Sequence, residues 1–371
     1  MTIIDTVLVK LASRCNLDCD YCYVYNMGDD AWRRQPKLMS TDVVDQLGLG
    51  LAGLVAAQGG PLSVVFHGGE PLLMGASRFE TVCSSMRRHL GDANGLHLQT
   101  NGVLLTDEVI DVCARHDVGI SISIDGPVEI HDRHRLTRTG RGSHAAVTAA
   151  IERLVARPDG AALFSGLLCV IDLAGDPAEV YRFLKDTGTP SVDFLYRDGN
   201  HDNLPFGKSD AGSTEYGEWM VGLLDVYLAD RTPIRVRVLD DMLRLLLGGK
   251  AVKEGVGDNA YGILVVDTDG TITKNDTLKS AAGGDRFTGR WSVADDLAVL
   301  ASSLEFAQYH RSQQPSAPAC LLCPHLAVCG GGMPTHRWSA ERGFDNASVF
   351  CADQKLLIDR MRHAVGRPQA A

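Results

Sequence analysis

Six short β-rich runs, at residues 7–11, 63–67, 96–100, 120–124, 164–170 and 192–195, alternate with helical periodicity at 41–57, 77–90, 107–116, 143–156 and 177–187. Asp107, Ser143 and Asp176 stand at or near the helix starts, where capping side chains belong. Repeated strand–helix units require a parallel sheet with right-handed crossovers. Six strands are too few to close the usual eight-stranded barrel. The expected fold is therefore α/β, a curved and partial (β/α)6 barrel. Chemistry in such folds collects at the C-terminal ends of the strands.

The first strand end carries Cys15-Asn-Leu-Asp-Cys19-Asp-Tyr21-Cys22, three cysteines spaced C-x3-C-x2-C. Three thiolates on one loop can hold three irons of a [4Fe–4S] cube and leave the fourth open to a small molecule. A zinc knuckle or plain loop thiols are the rival readings, although zinc normally asks for a fourth ligand. The second strand end gives Gly68-Gly69-Glu70-Pro71, whose glycines allow close backbone approach and whose carboxylate can accept from an ammonium group. The third, Gln99-Thr100-Asn101-Gly102, is ordinary turn chemistry, with a ligand-facing role as the other reading. In the fourth, alternation puts Ser121, Ser123 and Asp125 on one face, opposite Ile122 and Ile124. Ser123 and the nearby Arg135 make a carboxylate clamp, while Arg133, Arg138 and Arg141 are assigned to solvent. Beyond the sixth strand, Arg197 to Gly207 is turn-rich and polar, either a structural loop or one facing substrate.

The 371 residues, 45% of them hydrophobic, suffice for one large domain or a large one plus a small one. A net charge of −10 makes a nucleic-acid backbone an unsuitable partner. No apolar run is long enough to span a membrane, and a signal-peptide layout is missing at the N-terminus. Seven of the ten cysteines fall into two groups, 15/19/22 and 320/323/329/351. Cys83, Cys113 and Cys169 lie singly in apolar segments, as core residues do. Grouped cysteines without an export signal indicate metal sites in a reducing cytoplasm.

Helices are expected at 214–228 and 234–247, then a Gly/Lys-rich break at 248–258, which divides the chain into 1–250 and 251–371. Two short strands around Asp269-Gly270 make a hairpin, and helical periodicity returns at 293–310. Cys320, Cys323, Cys329 and Cys351, in C-x2-C-x5-C…C spacing, can ligate a second cluster completely; zinc remains the rival, and the cluster-type motif in the N-terminal half favours iron.

The C-x3-C-x2-C loop with Tyr21 before its last cysteine, followed by the GGE strand end, resembles the radical S-adenosylmethionine (SAM) enzymes. The run from Cys320 through Cys329-Gly-Gly-Gly to Gly343-Phe-Asp-Asn-Ala-Ser-Val-Phe-Cys351 resembles the SPASM auxiliary-cluster domain of peptide-modifying members. The resemblance implies a radical SAM barrel with a C-terminal SPASM-type domain and SAM contacts from Tyr21, Gly68, Gly69, Glu70, Ser123, Arg135 and Leu195. It implies a SAM-binding [4Fe–4S] cluster on Cys15, Cys19 and Cys22 and one auxiliary [4Fe–4S] cluster on Cys320, Cys323, Cys329 and Cys351. The fuller family pattern has a further auxiliary cluster, but two of its cysteine positions hold Asn275 and Met333, and no cysteine lies between Cys169 and Cys320. That cluster is expected to be missing. Asp276 matches the place of a proton-accepting aspartate in sulfatase-maturing relatives, and as a plain turn residue it would be unremarkable.

The opening Ser-Arg-Cys-Asn-Leu-x-Cys-x-Tyr-Cys-Tyr-Val-Tyr, with Trp32-Arg33 and Met39-Ser40, is similar to maturases that form cyclophane crosslinks in ribosomally made peptides. The implied activity is hydrogen abstraction from a precursor peptide by a 5′-deoxyadenosyl radical, leading to a carbon–carbon crosslink between side chains. An external one-electron reductant of the flavodoxin or ferredoxin type is implied as well. The alternatives are an anaerobic sulfatase maturase making formylglycine and, from another class, a non-catalytic iron–sulfur electron-transfer protein. With the first strand so near residue 1, recognition of a leader peptide is expected to fall to the barrel mouth, the hairpin or a separate protein.

Overall fold

The computed structural model describes residues 1–281 and 286–366. Its centre is one nine-stranded sheet. The strands are β1 (Thr6–Ala12), β2 (Ser63–Gly68), β3 (Gly95–Thr100), β4 (Val118–Ser123), β5 (Phe164–Val170), β6 (Ser191–Leu195), β7 (Arg235–Val236), β8 (Ile263–Val266) and β9 (Ile272–Thr273). Their spatial order is β7-β6-β5-β4-β3-β2-β1-β8-β9, and only the β8–β9 pair is antiparallel. The six expected strands are all present, in sequence order and parallel, as an open half-barrel.

Parallel strands covered on both faces are normally apolar throughout. Here β2, β3 and β4 alternate instead. Val64, Phe66, Leu96, Leu98, Ile120 and Ile122 are buried against the helical layer, while Val65, His67, His97, Gln99, Ser121 and Ser123 on the other face are only partly covered. The barrel interior holds a cavity, and His67, Gln99 and Ser123 line it.

Helices Thr41–Gln58, Ala76–Leu90, Asp107–Arg115, His144–Val155 and Pro177–Asp186 fall within two residues of expectation. Ser40, Thr106 and Asp176 cap their helices by accepting from Val43, Val109 and Glu179 N–H. Asp107 is thus the first helical residue rather than the cap. The Ser143 hydroxyl donates to the Arg135 carbonyl at 2.6 Å instead of capping.

Three expectations change beyond residue 230. The 234–247 segment begins as edge strand β7 before its helix, Arg237–Leu246. The 293–310 segment becomes two helices, Leu297–Ser302 and Leu304–Ser312, because the Ser303 hydroxyl caps the second by accepting from Phe306 N–H. The hairpin forms, but β8 pairs with β1 in parallel register from Thr6↔Ile263 to Val9↔Val266, so it extends the barrel sheet. The last helix, Cys351–Ala364, packs on Glu215–Ala229. A Cβ on Gly217 would lie 2.7 Å from the Asp353 Cα, and Gly217 N–H donates to Asp353 at 2.7 Å. Only glycine permits that approach.

Candidate active site

The loop after β1 is pinned across the barrel mouth by the segment after β4. Asp18 N–H donates to the Leu136 carbonyl at 2.8 Å, Leu17 bridges Thr137, and the Arg138 guanidinium donates to the Cys15 carbonyl at 2.8 Å. Arg133 and Arg138 are exposed, as the solvent assignment expects, and each also makes a structural contact: Arg138 braces the loop, and Arg133 is ion-paired with Asp172 at 2.5 Å.

Cys15, Cys19 and Cys22 are partly buried and near enough to feel one another's charge. Burial pushes the Cys15 thiol up to about 12 and Cys19 to about 11, and raises Cys22. Such thiols ionise only beside strong positive charge, which a metal group supplies. Among the described residues no three His, Cys, Asp or Glu side chains converge on a point for a single ion. A cube asks for a wider spread, one thiolate per iron.

These cysteines line one cavity of about 190 Å³ at the barrel mouth. The same cavity is lined by Tyr21, Gly68, Gly69, Glu70, Ser123, Arg135 and Leu195. The seven expected SAM contacts thus come from the ends of β1, β2, β4 and β6, and the segments after them, to a common space. Gly69 is sterically obligatory: a Cβ there would meet the Tyr25 hydroxyl at 1.9 Å and the Arg14 carbonyl at 2.4 Å.

Glu70 is fully buried and does more bracing than expected. Its carboxylate accepts from Leu72 N–H at 3.0 Å, the Thr100 hydroxyl at 2.7 Å and Asn101 N–H at 2.8 Å, tying β2 to β3. Burial nevertheless raises its carboxyl above the ordinary value. Ser123 accepts from Gln99 at 2.9 Å. Arg135 donates to the Tyr21 hydroxyl at 2.8 Å, which in turn donates to Asp125, and its Nε is buried without a partner. Burial opposes the Arg135 charge, but Tyr21, Asp125 and Cys19 outweigh it and hold the guanidinium above its ordinary value.

Asp276 lies one layer behind this cavity, not on its wall. Tyr23, which does line the cavity, lies against it. Asp276 is buried between Lys10 at 2.6 Å and Lys279 at 2.9 Å, and both lysines also reach Asp267 at 3.2 Å. Burial alone would raise its carboxyl; Lys10 and Lys279 outweigh that and hold it well below the usual range. As a free base it is weaker than the sequence suggests.

Sequence reasoning passed over His67, Asn101 and Tyr23. His67 and Gln99 were legible from the period of two along β2 and β3. Asn101, read first as a turn residue, lines the cavity, donates to Asn16 at 2.8 Å and braces the cysteine loop.

In the C-terminal part Cys320, Cys323, Cys329 and Cys351 also feel one another's charge. Burial pushes Cys329 up to about 12. Beside them sits Arg337, 1% exposed, whose hydrogen bonds all go to the carbonyls of Ser312, Gln313 and Gln314 and whose Nε is orphaned. Burial lowers its guanidinium to about 10, with the Cys320 and Cys329 charges opposing that shift. A buried cation within reach of the Cys320 and Cys329 charges fits a negatively charged thiolate cluster. Around the two positions where cysteine is replaced, Asn275 donates to Glu254 at 2.7 Å, and Gly255 packs on the Met333 sulfur. Burial pushes Glu254 up to about 7.

The sequence pattern of the radical SAM superfamily matches residues 9–168. The chain is 25% identical to a cysteine-type anaerobic sulfatase-maturating enzyme of Clostridium perfringens, over 95% of each chain. It is 26% identical to a serine-type anaerobic sulfatase-maturating enzyme of Bacteroides thetaiotaomicron, over 65% of this chain and 62% of that one. The fold is similar to anSMEcpe with bound AdoMet, at TM-score 0.82 and 22% identity, covering 97% of both chains. It is also similar to Streptococcus suis SuiB bound to precursor peptide SuiA, at TM-score 0.62 and 13% identity, covering 90% of this chain and 73% of that one. No helix among the described residues is long and apolar enough to cross a membrane. With the strand ends gathered on one cavity, the chain is an enzyme that carries a radical SAM domain at residues 9–168, and its cofactors are a [4Fe–4S] cluster and SAM.

Proposed function

We propose that the protein modifies a side chain of a peptide, and that its first product to test is formylglycine, made from a cysteine or serine. The observation that carries this is the single cavity joining the three cysteines of the β1 loop to the ends of β2, β4 and β6. The named sulfatase-maturating relatives, at 25% and 26% identity, favour formylglycine over the cyclophane crosslink. When bound, cluster and SAM supply a 5′-deoxyadenosyl radical that takes a hydrogen atom from an unactivated carbon.

The protein's own part is holding, orienting and drying. Cys15, Cys19 and Cys22 hold three corners of the cluster. Gly68, Gly69 and Glu70 face the SAM ammonium, Ser123 and Arg135 its carboxylate, and the Tyr21 main chain and Leu195 pack against the cofactor. Asp276, reached through Tyr23, is the proposed proton acceptor; ion pairing with two lysines makes it a member of a charged group rather than a lone base. Cys320, Cys323, Cys329 and Cys351 hold an auxiliary [4Fe–4S] cluster beside Arg337. In this proposal residues 1–250 form the radical SAM part and 251–371 the auxiliary part, sharing one sheet through β8. A flavodoxin- or ferredoxin-type protein supplies the electron, in a cytoplasm that keeps the ten thiols reduced.

A second reading, crosslink formation, is supported by the Glu254–Asn275 hydrogen bond and Met333 standing where the fuller family pattern has cysteines. The test is anaerobic reconstitution with a reductant, SAM and a sulfatase-derived peptide carrying Cys or Ser. Formylglycine is an aldehyde and reacts with a hydrazine probe; a crosslink loses two hydrogens and does not. Release of 5′-deoxyadenosine without either product sends the search to a precursor peptide encoded nearby. Failure to cleave SAM with intact clusters overturns the proposal.

A further inference from the structure

Arg197, two residues beyond β6, is 5% exposed and lines the cofactor cavity. An arginine this buried is normally paired. Here the guanidinium is only sandwiched by rings, 5.3 Å from the Tyr21 centroid and 5.1 Å from that of Phe206. No described residue accepts a hydrogen bond or forms an ion pair with it, and the neighbouring carboxylate, Asp198, faces His336 instead. Five donors therefore stand ready in the cavity wall with nothing to receive them.

The two cavity arginines lie on different sides of Tyr21. Arg135 is at the hydroxyl, toward Cys19 and Asp125, already engaged on the cofactor side. Arg197 is on the ring face, toward Phe206, which is 71% exposed on the outer loop. The free cation thus faces the mouth, where substrate enters. In a protein of net charge −10 it is no part of a general basic surface.

We propose that Arg197 is a specificity-determining residue that receives a carboxylate of the incoming peptide, next to the residue that reacts. This rests on the reading of the protein as a peptide-modifying enzyme. The planar fork suits a carboxylate bidentately, and the two rings fix its plane. The carboxylate comes from an Asp or Glu side chain or from the peptide's own C-terminus.

The test is affinity selection of random short-peptide pools on the cluster-loaded enzyme with S-adenosylhomocysteine bound, in a free-acid pool and a C-terminally amidated one. Wild type is expected to enrich Asp and Glu in both pools if a side chain is read, or to retain the free-acid pool alone if the terminus is read. Arg197→Gln is expected to weaken that preference about tenfold to a hundredfold, as loss of a charge-assisted bidentate contact does; Arg197→Lys keeps part of it. S-adenosylhomocysteine affinity is expected to be the same in Arg197→Gln and wild type. Equal acidic preference in wild type and Arg197→Gln, or none in wild type, overturns the proposal. A tenfold loss of S-adenosylhomocysteine affinity in Arg197→Gln overturns it too, by giving the residue to the cofactor. Failure of the underlying reading is distinguishable, since wild type would then not cleave SAM under reduction.

Discussion

Lys10→Met tests the charge arrangement beneath the active-site cavity. Lys10, Lys279, Asp267 and Asp276 form a buried ring of alternating charge, with contacts of 2.6, 2.9, 3.2 and 3.2 Å. At an effective dielectric of about 20, a 2.6 Å pair gains ~6 kcal/mol and a 3.2 Å pair ~5 kcal/mol before desolvation. Much of that gain offsets the cost of taking four charges out of water. Removing Lys10 leaves two carboxylates against one ammonium, and breaking a buried pair this way costs about 3–5 kcal/mol. Neutralising Asp276 in the same variant leaves Lys279 paired with Asp267. Lys10→Met/Asp276→Asn should therefore cost about 2–3 kcal/mol less than the sum of the single changes. Anaerobic urea unfolding of the cluster-loaded protein measures all three variants, and Lys10→Met should move the midpoint by roughly 1 M. The Asp276 carboxyl is held below its ordinary value, so its stabilisation is fully present above about pH 4 and is lost as pH falls further. The cost of Lys10→Met should accordingly shrink in acid. A cost below about 1 kcal/mol, or strict additivity in the double variant, refutes the argument that the ring holds Asp276.

Glu254→Gln should stabilise the protein at pH 8 by about 1–3 kcal/mol and change little at pH 5, because a carboxyl raised to about 7 is penalised once pH passes its unfolded value; thermal unfolding across pH reads this. Gly69→Ala should weaken SAM binding more than tenfold in equilibrium titration, since the added Cβ meets backbone at 2.4 Å; Tyr25→Phe should not rescue it, because the Arg14 carbonyl remains. Iron and sulfide should each number about eight per protein molecule, falling to about four in Cys320→Ala/Cys323→Ala. A wild-type count near four sinks the auxiliary cluster, and one near twelve sinks the view that a further one is missing where Asn275 and Met333 stand.

The strand ends were legible because each rests on local spacing. The C-x3-C-x2-C loop, the glycines before Glu70 and the Ser121/Ser123 alternation need only a few neighbouring residues to define them. The contacts that Arg133, Arg138 and Asn101 make were not legible for the opposite reason: their partners, Asp172, the Cys15 carbonyl and Asn16, lie 39, 123 and 85 positions away. The hairpin was found, but its pairing with β1 was not, since nothing in the 263–273 text records which strand it will join.

Composition and period alone pointed to a parallel α/β half-barrel, and the spacing of seven cysteines alone marked two groups of candidate metal ligands. Tertiary structure decided the electrostatics. Lys10 meets Asp276 across 266 positions of sequence, Arg337 is buried within reach of the Cys320 and Cys329 charges, and Arg197 is left with rings on both sides and no acceptor among the described residues. A residue's charge is written in the sequence, but whether that charge is answered depends on which distant residues the packed fold brings within a few ångströms.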